Sequence, residues 1–550
     1  MIIRSLTRLL LVVLLPIPAF TQSSADPAPG ATPASSFAAA DVHSSPHANF
    51  PFSQPGRLHG DRYVLHQATM VDLISNAWSV DASNVQGGPP WLEMDRFDIA
   101  AKVPSATPPA DLKLMLQSLL KNRFSLVVHN GTAPMPAWIL TADNPKLKPS
   151  EGSAAAGCEP EQPPANQPPG GISTITVNCH NTTSDQLAQD LQQMAGGFID
   201  KPIINNTGLQ GSFDFQIVWT PRFRLAQAGP DAISIFDAIR KLGLKLELKT
   251  APRPVLLVDS VNETPTPNVP DIAKILPPPP PAQFDVAIIK PAGPAETFTG
   301  GIHGDQINLT NIPLKFLISF AWDLNPNDSQ VLAGAPPWLD KDHFDILAKV
   351  APDETTGSAP QNGPPMDPEQ LRLMLRDLLI ERFQMKVHTE DRPIDAYAFT
   401  SIAPKLTPAN PATRTKCTEG PGPDGKDPRI ANPVLGRLLY CRNMTLAEFG
   451  QQLPFLASGY IYAPVLDATG LKGAWDFTLS FSPAGQIVPG TAPAAASGPP
   501  SNAASEASDP NGAVTLFDAV RKQLGLKLEK QKRPLPVLVI DQINEKPTED

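Results

Sequence analysis

The sequence predicts an α+β fold built twice: repeated helix-strand-strand units forming antiparallel or mixed sheets with helices on one face, in two homologous repeats. The first observation behind this is a duplication. Trp91-Leu92, Phe97-Asp98-Ile99 and Lys102-Val103 return as Trp338-Leu339, Phe344-Asp345-Ile346 and Lys349-Val350. Thr207-Gly208-Leu209-Gln210-Gly211 with Phe213-Asp214-Phe215 returns as Thr469-Gly470-Leu471-Lys472-Gly473 with Trp475-Asp476-Phe477. Leu242-Gly243-Leu244-Lys245-Leu246-Glu247 returns as Leu524-Gly525-Leu526-Lys527-Leu528-Glu529. The second observation is periodicity: apolar residues at helical spacing are followed, again and again, by two strand-like stretches. The third is proline, 65 of 550 residues, gathered in tracts that read as linkers.

In repeat one the first helix, Thr69 to Trp78, places Met70, Leu73, Ile74 and Ala77 on one face. A Gly87-Gly88-Pro89-Pro90 turn leads to the strand Phe97–Val103, where Phe97, Ile99 and Ala101 alternate with Asp98, Ala100 and Lys102. The second helix, Ala110 to Asn122, carries Leu112, Met115, Leu116, Leu119 and Leu120, and strands Phe124–His129 and Ala137–Thr141 follow. The third opens at Thr183 or Ser184, a fair N-cap, and carries Leu187, Leu191 and Met194. Its strands are Pro202–Asn205 and Ser212–Trp219. The fourth is Ser234–Leu242, with strands Lys245–Lys249 and Val255–Asn262. Repeat two keeps this order. Units this short cannot bury their apolar faces alone, so they are expected to share sheets, in two small sandwiches per repeat.

Residues 1–25 read as a secretory signal: Arg4 and Arg8, an apolar stretch from Leu9 to Phe20 broken by Pro16 and Pro18, then small and polar residues. The apolar stretch is short for a bilayer span. No later segment approaches one, so no stable membrane insertion is expected after cleavage. The mature chain is expected to be exported, to the periplasm or beyond. A flexible leader, 26–36, precedes repeat one, 37–265. A proline-rich linker, 266–282, includes five consecutive prolines, Pro277 to Pro281, which favour an extended spacer holding the repeats apart. Repeat two, 283–550, is swollen by a Pro/Ala/Ser/Gly-rich insert at about 484–513, expected to be a mobile loop.

Formal charge is −10, and −12 without Arg4 and Arg8, with 42 basic side chains left against 54 acidic. That balance disfavours nucleic acid and anionic membrane as partners, since both need a basic face. The four cysteines fall two per repeat at matching places. In an exported chain they read as disulfides closing loops, Cys158 with Cys179 and Cys417 with Cys441. No CxxC occurs, and Arg442 stands where His180 would have to be a ligand, so no metal is expected.

The duplication filters candidate sites. Gly208 and Gly211, like Gly470 and Gly473, bracket a turn feeding a strand; a phosphate loop would need a helix N-terminus there. Trp91 and Trp338 follow matching Pro-Pro turns and read as packing residues or as the wall of a groove. Arg123-Phe124 precedes a strand ending in His129, and Arg382-Phe383 one ending in His388; His59 matches His303. Asp98/Asp345, Lys102/Lys349, Thr207/Thr469, Asp214/Asp476, Asp237/Asp518, Arg240/Arg521, Glu247/Glu529 and Asp259/Asp541 are also kept. No HExxH or GxSxG motif occurs and no cysteine is left as a nucleophile. No catalytic residue and no cofactor is assigned; Trp91, Trp338, Arg123, Arg382, His129 and His388 are the candidate binding residues.

These motifs, with Pro145-Lys146-Leu147 and Pro404-Lys405-Leu406, resemble together a paralogous domain of unknown function expanded in soil acidobacteria. The resemblance covers nearly all of both repeats. Phe284-Asp285-Val286-Ala287-Ile288-Ile289-Lys290-Pro291 is similar to that family's start, whereas repeat one reads Ala40-Asp41-Val42-His43 there. The family brings no activity with it. The stretch Leu244–Leu248 and Val255–Asp259, with its helix, is similar at fold level to the short N-terminal domains of secretins and TonB-dependent receptors, which are periplasmic interaction modules. The sequence therefore leads to a non-catalytic binding module acting on a protein or cell-envelope polymer. A secreted hydrolase of peptide or glycan and a periplasmic sensor or docking domain are the alternatives.

Overall fold

The computed structural model describes residues 36–46, 48, 56–105, 107–152, 155–161, 174–228, 232–277, 283–293, 297–303, 306–350, 368–422, 424–432, 434–486 and 512–548. The expected signal segment, the polyproline stretch 278–282 and insert residues 487–511 lie outside them.

The first half runs β1 (Ala39–Ser44), β2 (Arg57–His59), β3 (Arg62–Thr69), α1 (Met70–Trp78), β4 (Val85–Gly87), β5 (Arg96–Lys102), α2 (Pro109–Phe124) and β6 (Val127–Ala142). It continues with β7 (Lys148–Pro149), β8 (Gly157–Pro160), β9 (Ile175–Thr183), α3 (Ser184–Met194), β10 (Ile203–Asn205), β11 (Ser212–Trp219), α4 (Leu225–Ala228), α5 (Ile235–Lys241), β12 (Leu244–Ser260) and α6 (Ile272–Ile275). The second half opens with β13 (Phe284–Pro291), β14 (Thr299–His303), β15 (Gln306–Pro313), α7 (Leu314–Ala321), β16 (Leu332–Ala333), β17 (His343–Val350), α8 (Pro368–Arg382) and β18 (Lys386–Ser401). It closes with β19 (Thr407–Pro408), β20 (Lys416–Glu419), β21 (Arg437–Met444), α9 (Leu446–Leu456), β22 (Val465–Asp467), β23 (Trp475–Phe481), α10 (Leu516–Ala519) and β24 (Leu526–Gln542).

Each half is α+β and holds three four-stranded sheets, two antiparallel and one mixed. In the first half these are β1-β5-β3-β2, β10-β6-β12-β4 and β7-β11-β9-β8, and the second half repeats them. Two cores form per half. Met70, Leu73, Ile74 and Ala77 of α1 meet Phe97, Ile99 and Ala101 of β5 in one; Leu187 and Leu191 of α3 meet Val177, Ile217 and Trp219 in the other. The helix starts are chemically marked: Thr69 with Asp72, Thr183 with Gln186 and Thr445 with Glu448 form capping boxes.

One device precedes several helices. Gln67, Asn181, Asn311 and Asn443 lie at φ between 45° and 58°, each at a bulge shortly before a helix. Their backbone N–H groups donate to Asp98, Asp214, Asp345 and Asp476 at 2.7–2.8 Å. The aspartates shared by the Phe-Asp motifs are thus held on the neighbouring strand to fix a strained turn.

The structure corrects the strand assignment. The expected strand Phe124–His129 starts too early, since Phe124 closes α2; its residues from Val127 onward join Ala137–Thr141 in one strand, β6, and Lys245–Lys249 and Val255–Ser260 are likewise parts of β12. The two pair over their whole length, with Pro252 opposite Pro134; in the second half Pro393 lies opposite Pro534. Proline suggested breaks there. The prolines are tolerated because β10 pairs only with Trp138–Leu140 and β4 only with Leu256–Val258, so the ribbon's middle has open edges needing no N–H donor. One end of this ribbon serves each core.

Cys158 and Cys179 are directly opposite on β8 and β9 and are disulfide-bonded; Cys417 and Cys441 match on β20 and β21. Each bond ties an edge strand to its sheet across a separation of 21 or 24 residues. Replacing Cys417 and Cys441 together by alanine is expected to lower stability by about 3 kcal/mol, read as a fall in the guanidinium midpoint.

Candidate functional site

The halves were expected to stand apart on a spacer; instead they touch. Glu93, just before β5, lies 2.8 Å from Nη2 of Arg414 and 2.5 Å from Nζ of Lys416. The Arg414 side chain is 5% exposed and that of Glu93 12%. Thr415 N–H donates to the Pro90 carbonyl at 3.2 Å, and Gln452 of α9 donates to Met94 Sδ. The guanidinium enclosed at this contact is compensated by the carboxylate of the other half. Part of the expected linker also belongs to the first half: Asn268 Oδ1 accepts from Val42 N–H of β1, and Leu276 is buried.

That segment explains Arg123. Its guanidinium donates to the Thr266 carbonyl, to Asn268 Oδ1 and to the Ala40 carbonyl, clamping the chain after β12 against β1. In the second half the Arg382 carbonyl accepts from Thr548 N–H, matching Arg123 and Thr266. Trp91 is partly buried against the first core, its ring edge-on to Phe97 at 6.1 Å, and Trp338 packs likewise on the equivalent core.

His129 and His388 each gain a carboxylate. Nδ1 of His129 is 2.8 Å from Asp259 and that of His388 is 2.9 Å from Asp541. Asp259 and Asp541 are the extra residues at bulges in β12 and β24, which turn them toward the histidines. The Asp541 hydrogen bond, reinforced by its charge and that of Glu390, holds His388 protonated to a higher pH than an ordinary histidine. Both pairs lie about half exposed on the ribbon surface. Among the described residues neither histidine is bonded to a hydroxyl, so no triad with a nucleophile is assembled.

A concave feature lined by shared residues lies elsewhere. A groove of about 480 Å³ is bounded by Ile402, Ala403, Lys405, Asp518, Arg521, Lys522 and Gly525. Two chain segments cross there: the Ile402 and Ala403 N–H groups donate to the Gly525 carbonyl, and Lys405 N–H to that of Leu524. Gly525 has φ 68°, and a Cβ on it would strike the Ala403 carbonyl oxygen. Lys405 Nζ donates to the Lys522 carbonyl; Thr515 caps the helix by accepting from the Asp518 N–H, and its hydroxyl donates to the Asp518 carboxylate. Those two side chains thus have structural partners, while Arg521 and Lys522 have no side-chain partner among the described residues.

The first half carries the same set as Lys146, Asp237, Arg240, Lys241 and Gly243, with Lys146 N–H on the Leu242 carbonyl. The second half adds one residue, Gln523, between Lys522 and Leu524. The extra residue winds Val520–Leu524 into a π-turn, and Gln523 is anchored to both the N–H and carbonyl of Ser480. Asp237, Arg240, Asp518, Arg521 and the Pro-Lys-Leu motif were visible in the sequence as shared; that the two segments meet was not.

Among the described residues no cluster of three or more His, Cys, Asp or Glu side chains is arranged to hold a metal ion, and no helix is long and apolar enough to cross a membrane. No curated protein and no solved structure matches the chain. A family model described as Protein of unknown function (DUF3738) matches residues 71–261 and again 315–543, and on that double match the chain belongs to this family, with the domain present in two copies.

Proposed function

We propose that the protein is an exported, non-catalytic binding module that acts at the cell envelope and takes an anionic group of a protein or polymer in the groove beside Gly525. The observation that carries this reading is the lining: Lys405, Arg521 and Lys522 surround the groove, and every charged member recurs in the other half. Two arginine or lysine side chains without partners make a local cationic site on an otherwise acidic chain, which suits a carboxylate or phosphate. The signal-like segment 1–25 and the two disulfides support export. The overall acidic charge disfavours nucleic acid.

In the first half Arg240 is paired with Asp237 at 2.7 Å; if that matching site also takes an anion, the chain would bind a polymer with avidity. The test is co-sedimentation with purified peptidoglycan sacculi and, separately, binding to soluble polyglutamate at low salt. Arg521→Glu with Lys522→Glu is expected to weaken binding about tenfold, and adding Arg240→Glu with Lys241→Glu to abolish it. Equal binding by wild type and the four-site variant would remove the groove as the site.

A further inference from the structure

We propose that the groove beside Gly525 is the chain's primary anion site because an inserted residue, Gln523, keeps Arg521 from pairing with Asp518. In the first half Asp237 occupies Arg240, and the matching groove is the weaker one. This ranking rests on the reading of the groove as an anion site and adds what sets its strength. The two linings carry the same charges: Lys405, Asp518, Arg521 and Lys522 correspond to Lys146, Asp237, Arg240 and Lys241. Net charge therefore does not distinguish them, whereas the partners already held by the arginines do.

Asp237 and Arg240 lie three residues apart on α5, a spacing that sets side chains beside each other on an α-helix. Arg240 Nη1 donates to Asp237 Oδ1 at 2.7 Å. Asp518 and Arg521 keep the spacing but not the pair. Among the described residues the Asp518 carboxylate accepts from the Thr515 hydroxyl at 3.1 Å and from no cation. The winding is what differs. Val520–Leu524 is a π-turn, which needs more residues to come round than an α-helix, so a side chain three positions on falls short of its partner. Gln523 is the residue the first half lacks, and its side chain bonds the N–H and carbonyl of Ser480 on β23 at 2.9 and 2.7 Å. The wide turn is thus braced against the sheet. A free guanidinium offers its planar fork to a carboxylate or phosphate, whereas a paired one must first release its own carboxylate. For an exposed bridge such as Asp237–Arg240 that release costs up to about fivefold in affinity. Lys405 differs less: its bond to the Lys522 carbonyl leaves its charge and further N–H donors in place.

Binding of soluble polyglutamate to the full-length protein is measured by titration calorimetry at low salt. In the Arg521→Glu, Lys522→Glu background only the first-half groove is left. There Asp237→Asn is expected to tighten binding about three- to fivefold. Asparagine keeps an acceptor for the Ser234 hydroxyl but holds no guanidinium by charge. Glu381→Gln, which removes one exposed charge from α8 in the other half, is the control and should change little. Deleting Gln523 from the wild type is expected to weaken binding by a similar factor, and adding Asp518→Asn to restore it. Circular dichroism checks the fold of the deletion; Asp237→Asn carries the test if that variant does not fold. Weak binding by the Arg521→Glu, Lys522→Glu protein that Asp237→Asn leaves unchanged would overturn the pairing as the cause and keep the groove as the site. Wild-type affinity in that protein would remove the groove itself.

Discussion

Replacing Glu93 by alanine is expected to cost about 3–5 kcal/mol. The Arg414 guanidinium is almost fully enclosed, and burial already lowers its proton affinity while Glu93 supports it. Glu93 Oε1 and Arg414 Nη1 lack well-aligned hydrogen bonds, so the pair holds by charge and proximity. Removing the carboxylate leaves a charge in a poorly solvated place, and the halves must part to rehydrate it. Lys416, more exposed, can turn to water. The double replacement Glu93→Leu with Arg414→Met should recover most of the loss, since an apolar pair of similar volume often equals a buried ion pair. Guanidinium unfolding of the three proteins checks this. A loss below about 1 kcal/mol for Glu93→Ala would class the contact as an ordinary surface bridge.

The residues that dock the halves are those in which the copies differ. Asp340 stands where Glu93 would be and is spent on Lys315; Ala155 and Gly157 stand where Arg414 and Lys416 would be. One half therefore supplies the acid and the other the bases, and the pairing has a single sense. The shared residues do other work: Asp98, Asp214, Asp345 and Asp476 hold strained turns, Arg123 clamps a segment, and the groove set lines a cavity. Divergence after duplication accounts for assembly, and retention accounts for folding and the candidate site.

This division explains what the sequence could yield. The helices were legible because apolar spacing and capping residues such as Thr183 are local. The cysteine pairs were legible because both copies place them alike. The continuous ribbon was hidden by Pro134 and Pro252, whose tolerance depends on which sheet edges stay unpaired, a tertiary fact. The interface was hidden for a different reason. A search for residues kept in both copies discards Glu93, Arg414 and Lys416 by construction. The groove lay between: its residues were in view, but the crossing of the Ala403 and Gly525 segments joins positions more than a hundred residues apart.

Phe344→Ala is expected to destabilise the second half by about 3–5 kcal/mol. The ring is 2% exposed and stands edge-on to Phe383 at 5.2 Å, as Phe97 does to Phe124 at 5.0 Å in the first half. Both members come from shared motifs, the Phe-Asp-Ile strand and the Arg-Phe helix end, so this contact fastens β17 to the end of α8. The loss joins the ring's transfer energy to a cavity that Leu339, Leu379 and Met385 around it cannot close. Phe344→Leu, which keeps most of the volume, should cost well under half as much. Thermal unfolding distinguishes the two, and polyglutamate binding measured below either midpoint should be unchanged. A ring that could be lost without this cost would mean that the motif is kept for something other than the core. With the cost, the Phe-Asp-Ile signature is read as a folding element throughout: its phenylalanine fills the core while its aspartate, one residue on, holds the strained turn of the adjacent strand.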